Sequence, residues 1–152
     1  MVAAEEEVIE DIWLNCVPRL ETWAGYAIES NILVITKNDE FRELSLTTPA
    51  VAGYANSAFL SFDDITSVPV EFFSRGEQGF FIMLGLSTGN SSWSINRIDG
   101  IAIFSDKSLD LNTYLRESDC SPISMDGVEQ LISEHNQRLA EEKQTIRDSR
   151  KF

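Results

Sequence analysis

Residues 5–25 read EEEVIEDIWLNCVPRLETWAG, and whether this stretch winds or extends decides the class of fold. Val8, Ile9, Ile12, Trp13, Cys16, Leu20 and Trp23 recur at three-to-four-residue spacing, the period of a helix that buries one face. Glu5, Glu6 and Glu7 would occupy its first turn, where carboxylates interact favourably with the positive end of the helix dipole. Pro18 removes a helical donor and disfavours the α region at Val17, so a kink or a division into two helices is expected there. Gly25 is expected to end the element. On this reading the chain opens with a helix.

Downstream the period changes. YAIES (26–30) and NILVITK (31–37) read as strands with a turn at Ser30-Asn31, and Asn38-Asp39 marks the next turn. FRELSLT (41–47) sets Phe41, Glu43, Ser45 and Thr47 against Arg42, Leu44 and Leu46. That alternation predicts an exposed strand at a sheet edge. TPAVAGYANSA (48–58) is small and turn-rich, a loop. FLSF, PVEFFSR, GFFIMLGLS, SWSINRI and GIAIFS follow as strand candidates, and Asp99-Gly100 between the last two is the best hairpin signal in the chain. GFFIMLGL is apolar on both faces and so belongs at the centre of a sheet.

The last third reads as helical again. LDLNTYLRE (109–117) is a short helical candidate. A long helix is predicted over 126–148, capped by Ser124 or Asp126. Val128, Leu131, Ile132, His135, Leu139 and Ile146 share one of its faces, and Glu134 with Arg138 forms an i,i+4 pair. The expected architecture is α+β: a mainly antiparallel sheet of five to seven strands, covered by N-terminal and C-terminal helices. Residues 1–152 form one globular domain on this reading, with about 148–152 as a frayed tail.

Charge narrows the function classes. The net charge is −13, and residues 1–40 hold nine acids against two bases. Such a field repels phosphate backbones, which argues against nucleic acid and against an anionic membrane as partners. No apolar run approaches the roughly 20 residues that span a bilayer, and acids rather than bases precede the first apolar stretch, unlike a secretory signal. The two cysteines, Cys16 and Cys120, are read as buried thiols of a cytoplasmic protein rather than a disulfide framework or a metal cluster.

No catalytic signature emerges. GLSTGNSSW (85–93) lacks both the Gly-Lys-Ser/Thr ending of a P-loop and the spacing of a dinucleotide fingerprint, and reads as a tight turn. The single histidine, His135, lies on a core-facing helical stripe. Asp63-Asp64 does not match a calcium loop. No catalytic residue, metal or cofactor is therefore expected. The leading expectation is a non-enzymatic acidic binding protein, in its most concrete form an immunity or inhibitor protein that neutralises a basic, toxin-like nuclease. Its partner surface would draw on Glu5, Glu6, Glu7, Glu10, Asp11, Asp39, Glu40, Asp63 and Asp64, with Tyr54 and Trp93 as aromatic anchors beside turn-rich segments. Two alternatives are a small acidic secretion or assembly chaperone that binds an extended segment at the FRELSLT edge, and a small-ligand protein or enzyme whose pocket is built from scattered residues.

Overall fold

The computed structural model describes residues 10–19, 28–47, 59–85, 89–108 and 113–152. It contains nine strands: β1 (Ile12–Pro18), β2 (Ile28–Ile35), β3 (Phe41–Thr47), β4 (Thr66–Val68), β5 (Val70–Arg75), β6 (Gly79–Leu84), β7 (Gly89–Asn96), β8 (Ile101–Ser108) and β9 (Thr113–Pro122). One helix, α1 (Met125–Asp148), follows them. Every strand pairs antiparallel with its neighbour, in the order β4-β3-β2-β1-β9-β8-β7-β6-β5.

The two ends of that order are almost one strand. Only Pro69 separates β4 from β5. Its β4 side pairs with β3, Phe41 opposite Val68, while its β5 side pairs with β6, Val70 opposite Leu84. Pro69 has no N–H to give a ladder, and its carbonyl accepts from Gly85 N at 2.8 Å. The sheet thus bends back on itself into a nearly closed barrel. Tight turns at residues 36–40, 76–78 and 97–100 gather at the end called lower here; at the Asp99-Gly100 turn, Gly100 takes φ +76°, open to a residue without a Cβ.

Two apolar layers result. Inside the barrel, Leu14, Cys16, Leu33, Ile35, Phe41, Phe80, Ile82, Leu84, Trp93, Ile95 and Ala102 pack together. On the outer wall of β1 to β3, Ile32, Val34, Leu44 and Leu46 pack with Val128 and Ile132 of α1. Ser124 caps α1 by accepting from Gly127 N. Strand β2 therefore buries both of its faces, one in the barrel and one under the helix.

Several expectations are corrected. The sheet has nine strands rather than five to seven, and a helix covers it from the C-terminal side only. The described part of the first stretch is strand β1, with Leu14 and Cys16 inward and Trp13 stacked on Phe62 outside. Its apolar positions fit period two as well as period 3.6, because both faces of β1 are partly covered. Residues 5–9 and 20–25 lie outside the described residues, as does the 48–58 loop. TYLRE (113–117) of the LDLNTYLRE stretch starts β9 rather than a helix, and residues 109–112 lie outside the described residues. No turn divides Ser30 from Asn31, since β2 runs through both. FRELSLT is an edge over only part of its length: β3 pairs with β2 throughout, β4 covers Phe41–Glu43, and no strand among the described residues pairs with the other side of Leu44–Thr47. Cys16 and Cys120, directly opposed on β1 and β9, are joined in a disulfide. Glu134 does not pair with Arg138, which bonds Glu29 of β2 instead. No helix among the described residues is long and apolar enough to cross a membrane.

Candidate functional site

Alternation along the strands decides what faces the barrel interior. On β9, Arg116, Ser118 and Cys120 share the inward face; on β3, Glu43 and Ser45 follow Phe41; on β2, Asn31 precedes Leu33 and Ile35. The lower half of the interior is apolar and the upper half contains this polar group.

Arg116 is its centre, only 7% exposed. One guanidinium nitrogen donates to Asn31 Oδ1 at 2.9 Å. Asn31 in turn donates to Ser45 Oγ at 2.7 Å and more weakly to Glu43 Oε1 at 3.4 Å. The guanidinium faces the rings of Phe104 and Trp93, with its carbon 4.9 and 5.5 Å from their centroids. Those rings come from the strand register, which places Arg116 opposite Phe104 and Phe104 opposite Trp93. Cation–π attraction is strongest where water is excluded, and these contacts hold the charge in place.

Three buried polar atoms on this inward face have no hydrogen-bond partner among the described residues: Arg116 Nε, Trp93 Nε1 and Ser118 Oγ. Leaving a buried polar group unpaired costs about 1–3 kcal/mol, so such groups are rare in folded proteins and call for an explanation. Guanidinium and indole nitrogens can only donate. The grouping is therefore a donor set in search of an acceptor.

Glu43 flanks it. Burial pushes this carboxyl above its ordinary value, against the opposing pull of the Arg116 charge. The Trp93 N–H acts in the same direction as Arg116 but falls short of hydrogen-bond geometry. Glu43 also stands at the last rung of the short β3–β4 ladder, opposite Thr66. Ser45 and Thr66 face the interior there and are nonetheless exposed. The barrel wall beside Glu43 is thus open to solvent, while the donor atoms behind it are buried.

The residues expected to form a partner surface are differently placed. Glu5, Glu6, Glu7 and Tyr54 lie outside the described residues. Glu10 is exposed. Asp11 accepts from the Lys37 N–H at 2.8 Å, Asp39 bridges to Arg75 at 3.0 Å, and Glu40 faces Arg42 at 3.8 Å. These three acids meet at the lower end of the barrel. Asp63 and Asp64 sit apart from them in a short 3-10 turn (Phe62–Asp64) beside α1, where Asp64 accepts from the Ser61 N–H. Trp93 is fully buried inside the barrel. No grouping of three or more His, Cys, Asp or Glu among the described residues is disposed to hold a metal ion.

Arg116, Asn31, Glu43 and Ser118 were not singled out from the sequence. The alternation of FRELSLT did set Glu43 and Ser45 on one face with Phe41, and that was the available signal; taking the strand as an exposed edge hid it. Comparison of the chain with protein-family models, with curated proteins and with solved structures gave no match.

Proposed function

We propose that this barrel is a small-ligand-binding protein whose ligand presents a hydrogen-bond acceptor to Arg116 and Trp93 in the upper half of the interior. The observation that carries the reading is the set of three buried polar atoms left unpartnered on one inward face. An eight- or nine-strand barrel has an interior of the size that side chains fill or that one small molecule shares with them. Apolar walls with a few convergent polar groups are the usual make-up of such sites. The surface acids support an acid-steered inhibitor less well, because Asp39 and Glu40 already face Arg75 and Arg42.

The compartment belongs to the same proposal. Disulfides persist where the surroundings are oxidising, so the Cys16–Cys120 bond favours such a compartment over the cytoplasm that the sequence suggests.

The test is thermal stabilisation by a panel of small organic acids, ketones and amides. A ligand present at about 100 times its dissociation constant adds about 2.7 kcal/mol, a clear rise in Tm. Arg116→Gln should abolish that rise. A panel that leaves the wild-type Tm unmoved, or a rise that survives Arg116→Gln, would remove the interior from consideration.

A further inference from the structure

Resting on that reading of the interior, we infer that the ligand is the anion of an organic acid and that Glu43 takes up a proton from solvent when the anion binds. The ligand class follows from the donors. Arg116 brings a full positive charge, and Arg116 Nε and Trp93 Nε1 can each only donate, so the complementary group is an acceptor carrying negative charge. A carboxylate has the geometry to take two such donors at once.

The proton follows from counting charges. Among the described residues, the charged side chains that face the upper interior are Glu43 from β3, Asp106 from β8 and Arg116 from β9. Inward positions on β1, β2, β4, β5, β6 and β7 carry no charge there, that of β5 being Val70, and the outward-facing Glu117 of β9 pairs with Arg19. Asp106 accepts from Ser91 Oγ at 3.1 Å, and its side chain lies one inward step beyond Phe104. Glu43 is the acid tied to Arg116, through Asn31, whose Oδ1 accepts from the guanidinium and whose amide donates to Glu43 at 3.4 Å. A second carboxylate brought to the same guanidinium leaves one anion uncompensated in surroundings with little water, and two like charges at one site cannot both stay ionised cheaply. Glu43 is the group able to yield, because burial already favours its neutral form.

The sign is fixed by linkage. Where Glu43 is ionised in the free protein, each ligand bound takes one proton, so affinity falls about tenfold for each pH unit above the folded value for Glu43, and levels off below it.

The experiment is calorimetric titration of the full chain with hexanoate and benzoate between pH 6 and 9, where both probes are ionised, repeated in phosphate and in Tris. The neutral hexanamide serves as control. Expected are a loss of affinity towards high pH, a buffer-dependent heat showing proton uptake at the alkaline end, and weak binding of hexanamide. Glu43→Gln should bind hexanoate with one affinity throughout. Carboxylate binding with no pH dependence in the wild type, or a slope that persists in Glu43→Gln, overturns the proton coupling while the interior site stands. Hexanamide binding as tightly as hexanoate overturns the assignment of an anion. No binding of any probe to either protein at any pH overturns the site itself.

Discussion

His135 shows how one buried side chain sets a pH limit. It lies in the joint between α1 and the barrel wall, 4% exposed, and its Nδ1 has no partner among the described residues. Burial lowers its affinity for a proton; Glu29 opposes this and Arg138 adds to it. The unfolded chain therefore binds a proton near pH 6.5 that the folded protein resists, so stability is present above that pH and lost as pH falls below it. Urea unfolding at pH 7.5 and pH 5.5 should show a larger loss for the wild type than for His135→Gln. Equal losses would mean that the imidazole is protonated in the folded state as easily as outside it.

The same scale explains what could be read of the site. That His135 faces the core was legible, because helical spacing fixes its direction. Arg116 was not, because a guanidinium in a strand is ordinarily taken as a surface group, and only the opposed Phe104 and the indole beyond it reveal that this face points inward. Single-residue chemistry was visible in the sequence. Its direction depended on pairings between strands far apart in the chain.

Among the elements, α1 was the most legible. Its cap at Ser124 and its buried face at Val128, Ile132, His135 and Leu139 all follow from local spacing. Leu139 is 1% exposed, so Leu139→Ala should remove packing at the upper part of the helix at a cost of about 2–5 kcal/mol, measured by chemical denaturation. A loss under about 0.5 kcal/mol would place that turn of the helix away from the barrel. β1 was the least legible element. Its residues Ile12, Trp13, Leu14 and Cys16 satisfy a helical stripe and a two-sided strand equally, and only β2 and β9, on either side of it, decide between them. β9 was misread for a related reason: its outward face carries Leu115 between polar neighbours and mimics an amphipathic turn.

At the scale of the molecule, an acidic exterior surrounds an interior that holds a buried cation. With a net charge of −13, the protein repels an approaching anion. Raising ionic strength from 0.01 M to 0.15 M shortens the screening length from about 30 Å to about 8 Å. Association of hexanoate, followed by stopped flow through tryptophan fluorescence, should therefore quicken with salt. A basic protein drawn in by the surface acids would slow instead, so the direction of the effect separates the two classes of partner. The number of strands was not legible because closure depends on Pro69, where a three-residue strand and a six-residue strand pass as one run in the sequence.

β1 and β9 are the first and last strands along the chain, yet they meet along a hydrogen-bonded seam in the middle of the sheet order, away from the β4–β5 junction where the barrel closes. The bond between Cys16 and Cys120 crosses that seam and ties together residues 104 positions apart in the chain. A pull that separates the first strand from the last would load that covalent link together with the ladder around it, so the two strands cannot part while the thiols remain joined. Reduction leaves that seam to its hydrogen bonds alone, beside the strand that carries Arg116.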